Sequence, residues 1–256
     1  MKVRPKKYYG QHFLKNPATA KRISDSLPSD ARFVLEIGPG MGILTKPLYQ
    51  RFGQNLKVIE IDHEAITYLQ DEFGDFHNNI IRGDFLKQDI TNLFPDQFQI
   101  TGNFPYNISS QILFRMLEHK DNIPSLTGMF QKEVAQRIVS QPGSRIYGIL
   151  SVLTQAFYQA QIIFTLSENE FSPPPKVESA VIQLIRKENY SLDCNEALFF
   201  KVVKTAFQQR RKTLRNSLKS LLQDIELPQH ISSSRPEQLG VKEFEEITRR
   251  LQGLTE

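Results

Sequence analysis

From Phe33 to Ile185 the chain alternates short apolar runs with stretches whose apolar residues recur at helical spacing; from Asn195 onward only the helical spacing remains. The short runs predict strands at residues 33–37, 56–60, 79–82, 98–101, 126–130, 162–166 and 180–185. Helices are expected at 17–27, 43–52, 109–118, 131–139, 146–158 and 241–251, with one more starting near His63. Asn16 followed by Pro17 is a cap-and-start pair for the first of these, and Asp62 is placed to cap the helix at His63. Strands alternating with helices predict an α/β fold with a largely parallel sheet. The change of period divides the chain into residues 1–190 and a small all-helical domain at 191–256.

Several predicted strands end in residues that carry chemistry. The strand at 33–37 runs into Gly38-Pro39-Gly40-Met41-Gly42, a glycine-rich turn ahead of a helix. Such a turn lets backbone approach a nucleotide closely. The glycines fall at relative positions one, three and five, preceded by Glu36, so the spacing is not that of the dinucleotide fingerprint. There is no lysine of the kind a phosphate-cradling loop carries. Glu60, 22 residues after Gly38, ends the next strand, where an acid can accept both hydroxyls of a ribose. Gly83-Asp84-Phe85 follows the third. Asp84 can accept from an adenine amino group while Phe85 packs on the ring. A surface glutamate or an ordinary turn would use the same residue types.

The fourth strand leads into Asn103-Phe104-Pro105-Tyr106, expected in a loop at the C-terminal edge of the sheet. Asn103 offers an amide oxygen as acceptor. Pro105 lacks an N–H and biases Phe104 toward extended backbone, which fixes the direction of the Phe104 carbonyl. Tyr106 offers a flat face. Two converging acceptors and an aromatic plate suit the exocyclic amine of a nucleobase, and methylation of that amine is the chemistry they point to. Phe171, ahead of the stiff Pro173-Pro174-Pro175 segment, is expected as a second plate opposite Tyr106, with a plain inter-strand loop as the alternative.

Composition narrows the partners. The 256 residues carry a net charge of +4, which points toward a polyanion. Basic residues gather twice: Lys2, Arg4, Lys6 and Lys7 before Tyr8 and Tyr9, and seven between Lys201 and Lys219 with no acid among them. The first group interleaves with aromatics and reads as a phosphate-holding arm or as a solvated terminus. The second, containing Arg210, Arg211, Lys212 and Arg215, reads as an RNA-binding face. A single cysteine, Cys194, excludes a disulfide within the chain and a thiolate metal site, and with it a zinc deaminase. No metal is expected. No apolar run follows the basic start as in a secretory signal, and none is long enough for a membrane span.

Gly10-Gln11-His12-Phe13-Leu14, together with residues 36–42, 102–107, 171–181 and 206–218, resembles the bacterial 16S ribosomal RNA adenine dimethyltransferase family over essentially the whole chain. The resemblance implies a Rossmann-like methyltransferase sheet with helices on both faces, S-adenosylmethionine as methyl donor, and a helical second domain. It implies a substrate of two adjacent adenosines in the 3′-terminal hairpin of 16S rRNA, within the 30S subunit or its precursor, each receiving two methyl groups at N6. It places cofactor contacts on His12, Leu14, Gly38, Glu60, Asp84 and Asn103. The family often has asparagine at position 12, and a backbone contact there survives the change to histidine. A cytoplasmic monomer is expected. A 23S rRNA adenine methylase of the macrolide-resistance type shares fold and tetrapeptide, but the basic stretch at 207–216 argues against it. A non-catalytic RNA-binding assembly factor would have no need of an intact Asn103 loop.

Overall fold

The structure, a computed structural model, describes residues 3–254. Nine strands are defined among them: β1 (Phe13–Leu14), β2 (Val34–Ile37), β3 (Leu56–Glu60), β4 (Ile80–Arg82), β5 (Gln99–Asn103), β6 (Ser125–Gln131), β7 (Tyr158–Leu166), β8 (Phe171–Ser172) and β9 (Ser179–Arg186). The helices are α1 (Pro17–Asp25), α2 (Thr45–Phe52), α3 (His63–Glu72), α4 (Ser109–Glu118), α5 (Lys132–Val139), α6 (Ile149–Phe157), α7 (Glu196–Gln208), α8 (Leu214–Ser217), α9 (Lys219–Leu222), α10 (Gln229–Ser232) and α11 (Val241–Leu251).

The chain forms two compact units, Met1–Ala135 with Gln161–Arg186, and Gln136–Ala160 with Lys187–Glu256. Compactness thus divides the chain differently from the boundary expected at residue 190. The second unit takes in residues 136–160 from the middle of the chain because α6 is apolar nearly all round. Val152, Leu153, Ala156 and Phe157 are all buried, and α6 packs on α7. A helix of this kind must be covered on every side.

In the first unit a seven-stranded sheet has the order β4-β3-β2-β5-β6-β9-β7. The pairs β2/β3, β3/β4, β2/β5 and β5/β6 are parallel, while β9 runs antiparallel to β6. Helices α2, α3 and α4 supply the crossovers that parallel neighbours require. From β2 the chain steps outward through β3 and β4, then returns to place β5 on the other side of β2. That reversal leaves a crevice at the C-terminal ends of β2 and β5, which is where open α/β sheets bind ligands. Every residue of β2 is buried, Glu36 included.

Most local signals hold. Asn16 caps α1 by accepting from the Ala18 N–H at 3.0 Å, with Pro17 at the first position, and Asp62 caps α3 by accepting from the Glu64 N–H at 3.0 Å. Strand β5 runs two residues further than its apolar run suggested, so Asn103 is its last residue, opposite Met129, and the loop begins at Phe104. Strand β7 starts at Tyr158, inside the stretch expected to be helical, and α6 starts at Ile149, after the extended Gly148. Strands β1 and β8, absent from the expected set, form a separate two-stranded antiparallel sheet. The core beneath includes Leu14, Ile23, Leu48, Phe76, Met129 and Phe171.

In the second unit α7, α6 and α11 pack together around Phe199, Val203, Phe244 and Ile247, all fully buried. Asn195 caps α7 by accepting from the Leu198 N–H at 2.9 Å.

Candidate active site

A pocket in the first unit is lined by residues 8–13, Gly38, Gly40, Glu60, Ile61, Gly83, Asp84, Phe85 and residues 103–108. The end of β3 is its hub. The Ile59 carbonyl accepts from the Gly38 N–H at 3.0 Å, and the Glu60 carbonyl accepts from the Gly83 N–H at 2.9 Å. The Glu60 carboxylate accepts from the N–H groups of Gly40 at 3.1 Å, Ile61 at 2.8 Å and Asp62 at 2.9 Å. Burial pushes the Glu60 carboxyl up from the usual carboxylate range, against those three bonds, which favour the anion. A carboxylate has about four acceptor directions. Three are taken by backbone, so Glu60 keeps one for a ligand, on Oε2, rather than a pair of oxygens free for two hydroxyls.

Asp84 keeps more in reserve. Its Oδ1 accepts from the Leu86 N–H at 2.9 Å, while Oδ2 lies 4.0 Å from the Lys87 Nζ. Phe85, 3 % exposed, forms an apolar part of the wall beside it.

Across the pocket, Asn103 donates from Nδ2 to the His12 carbonyl at 2.7 Å. That bond decides which way the amide points, since a carbonyl can only accept. Its Oδ1 accepts no hydrogen bond among the described residues, and neither does the Phe104 carbonyl. The Phe104 ring is 1 % exposed, edge-on to Phe130 at 5.1 Å. It fits only because Gly128 lies beneath it: a Cβ there would come within 2.4 Å of the ring. Cutting Phe104 back to alanine would cost roughly 3–5 kcal/mol of stability, so the side chain serves the fold and leaves the backbone to line the pocket. Tyr106 is held by its hydroxyl, 2.5 Å from the Ser179 Oγ, and by the His12 ring stacked on it at 5.5 Å and 26°. His12 in turn donates from Nδ1 to the Pro173 carbonyl at 2.8 Å.

Over residues 3–250 the chain matches the family described as ribosomal RNA adenine dimethylase. It belongs to that family. It is 56 % identical over 254 residues to the ribosomal RNA small subunit methyltransferase A of Flavobacterium johnsoniae, covering 98 % of this chain and 97 % of the relative. Among solved structures it is similar to a dimethyladenosine transferase from Plasmodium falciparum, with a TM-score of 0.77 and 25 % identity over 94 % of this chain and 96 % of that one. It is also similar to the 23S rRNA methyltransferase ErmE, with a TM-score of 0.66 and 26 % identity over 94 % and 99 % of the two chains.

Within this adenine dimethylase the expected site residues divide. His12, Gly38, Gly40, Glu60, Asp84, Phe85, Asn103, Phe104, Pro105 and Tyr106 come together on one pocket. Leu14 and Glu36 instead line a small recess behind the glycine loop. Glu36 accepts from the Thr45 hydroxyl at 2.7 Å and is pushed up to about 8, first by burial, with the Glu60 charge adding to it against the Thr45 bond. It braces the loop against α2. Gly42 also faces away, leaving room for Phe73 and Leu69 of the α3 region, which a Cβ would meet within 2.9 Å.

Phe171 does not stand opposite Tyr106. It pairs with Leu14 across β1/β8 and is 1 % exposed in the core, and the plate against Tyr106 is His12. Lys6, expected on the RNA, is ion-paired with Asp62 at 2.5 Å and Glu64 at 3.3 Å. The Lys7 side chain lies outside the described set. In the second unit Arg210 donates to the Arg145 carbonyl at 2.5 Å and sits 3.8 Å from Glu237, whereas Arg211, Lys212 and Arg215 are exposed. Tyr9, Gly10, Gln11, Ile61 and Asn107 line the pocket without having been singled out for it. The Gly10–Leu14 motif was the signal for the first group, but a motif does not say which loop it folds against.

Proposed function

We propose that this chain transfers methyl groups from S-adenosylmethionine to N6 of two adjacent adenosines in the 3′-terminal hairpin loop of 16S rRNA, dimethylating each. It acts as a cytoplasmic monomer on the 30S subunit or its precursor during ribosome biogenesis. The observation that carries the reading is the Asn103 amide, held by the His12 carbonyl so that its oxygen is free beside the free carbonyl of Phe104. The pocket's donor set fits the methyl donor: one open direction on Glu60 for a ribose hydroxyl, Asp84 for an adenine amine, and Phe85 and Ile61 as apolar wall. When bound, that group supplies an electrophilic methyl.

The adenine amine is a weak nucleophile because its lone pair is delocalised into the ring. Asn103 Oδ1 and the Phe104 carbonyl accept its two hydrogens and turn the lone pair out of the ring plane. In-line transfer then depends mainly on positioning. No strong base is needed beforehand, since the N–H becomes acidic once nitrogen is alkylated. A monomethylated amine still offers one hydrogen, which permits the second transfer. Tyr106, backed by His12, stacks on the unstacked target base, a contact worth roughly 1–3 kcal/mol. That offsets the few kcal/mol needed to draw a loop base out.

The test is transfer of labelled methyl to immature 30S particles lacking the modification, with mature 30S and 50S particles as controls and the product mapped by mass spectrometry. Dimethyladenosine at two neighbouring positions in the 3′ hairpin is expected. Labelling of 50S RNA alone would move the enzyme to the 23S class. Asn103→Ala should lower transfer by about 10²–10³-fold, the scale of losing a group that acts only in the transition state, while S-adenosylhomocysteine still binds. Turnover like the wild type in that variant would end the mechanism.

A further inference from the structure

We propose that Lys6, with Gln11 and Asp62, is a positioning residue of the methyl-donor pocket: it clamps residues 3–14 in place as one wall of that pocket and supplies the cation that offsets the acids beside Glu60. The proposal rests on the pocket being the methyl-donor site.

Besides pairing with β8 through Phe13 and Leu14, residues 3–14 touch three further parts of the first unit. Val3, 4 % exposed, clusters with Phe13 and Ala65, against which Met41 and Tyr68 pack. The Phe13 ring lies so close over Gly40 that a Cβ there would come within 2.7 Å of it. Gly10 lies against the Asn107 side chain, and the His12 carbonyl takes the Asn103 amide. The segment therefore reaches the glycine loop, the Asn103 loop and the start of α3, and residues 8–13 line the pocket.

The clamp sits at the start of α3. Lys6 Nζ lies 2.5 Å from Asp62 Oδ1 and 3.3 Å from Glu64 Oε1. Gln11 donates from Nε2 to Asp62 Oδ2 at 3.2 Å, and its Oε1 accepts from the Lys6 N–H at 2.9 Å, closing a ring of contacts. The Asp62 side chain is fully buried. Burial alone would favour its neutral form, but the hydrogen bonds from Lys6, Gln11 and the Glu64 N–H outweigh it and hold the carboxyl below its usual range. Asp62 connects directly to the ligand side, because its own N–H donates to Glu60 Oε1. Glu60 and Asp62 are thus two buried carboxylates joined by one backbone bond. Without Lys6 the Asp62 anion would stand unpaired in the interior, a costly arrangement, and its charge would act directly on Glu60. Losing the clamp should therefore free the wall and disfavour the Glu60 anion together, and both effects weaken donor binding rather than transfer.

The experiment compares full-length wild type, Lys6→Met, Lys6→Arg and Asp62→Asn. Asparagine caps a helix about as well as aspartate, so Asp62→Asn removes charge while sparing the start of α3. Binding of S-adenosylhomocysteine is measured by calorimetry, and donor KM and kcat are measured on immature 30S particles. Lys6→Met should raise both the Kd and the donor KM about tenfold, as contacting residues in one network do, with kcat within about twofold. Lys6→Arg should recover most of the affinity, and Lys6→Met added to Asp62→Asn should cost little more than Asp62→Asn alone. Lys6→Met with wild-type Kd, or with lowered kcat and unchanged KM, would overturn the proposal while leaving the pocket reading intact. Wild-type protein that binds no S-adenosylhomocysteine would sink the pocket reading itself.

Discussion

Residues 4–7 and residues 210–215 are both dense in lysine and arginine, and both stand next to aromatic or polar residues that suit RNA. In the structure Lys6 of the first stretch stands apart from the exposed cations of the second. Lys6 is turned inward onto a fully buried aspartate, 56 residues away, and the segment around it walls the pocket. Arg211, Lys212 and Arg215 face solvent in the turn after α7 and in α8, and Arg210 beside them is tied to a backbone carbonyl of its own unit. A cation's function follows from whether an acid is waiting for it. In the first segment Asp62 and Glu64 are; between Lys201 and Lys219 the sequence contains none.

That contrast is sharpest in RNA binding. Reversing charge at Arg211 and Lys212 together should lower affinity for 30S particles on the order of 10²-fold at physiological salt. The log–log salt slope should fall by roughly 1.4 to 1.8, the release expected for two phosphate contacts. Donor binding, measured on the free protein, should stay as in wild type. An unchanged slope would place the RNA face elsewhere. Lys6→Met should do the reverse, weakening donor binding while shifting the salt slope by less than about 0.3, since an ion-paired lysine releases no counterion. A slope change equal to that of one exposed arginine would show that Lys6 reaches RNA after all and would dissolve the comparison.

The same contrast marks what the sequence can and cannot tell. Glu60, Asp84 and Asn103 were legible because each stands at the end of an apolar run, and strand ends in a parallel sheet share one edge. That argument needs no knowledge of side-chain partners. Phe171 was misplaced, and the ion pairs of Lys6 went unseen, because both depend on such partners. Phe171 looks like an exposed plate until β8 pairs with β1 and carries it into the core beside Leu14. His12 was read for its backbone, and its ring became the plate because Pro173 and Tyr106 come to it from distant parts of the chain. The excursion of residues 136–160 into the second unit was hidden for a related reason. A helix as apolar as α6 must be buried, but nothing in its periodicity says against what.

The smallest effect concerns the arginine that belongs to neither group. Arg210 stands in the densest part of the basic stretch, yet its guanidinium donates to the Arg145 carbonyl and lies near Glu237, all within the helical unit. It is partly exposed, so the ion pair with Glu237 contributes little and the bond to the carbonyl carries most of the effect. Arg210→Ala should therefore lower the stability of that unit by about 1 kcal/mol, the usual net worth of one such bond, as read from urea denaturation. The salt slope of RNA binding should change by less than for Arg211→Ala alone. If Arg210→Ala instead flattens the slope as much as its neighbour does, with stability unaltered, the internal contacts give way on RNA binding. The basic stretch would then act as one continuous face, with no division into a holding arginine and reaching ones.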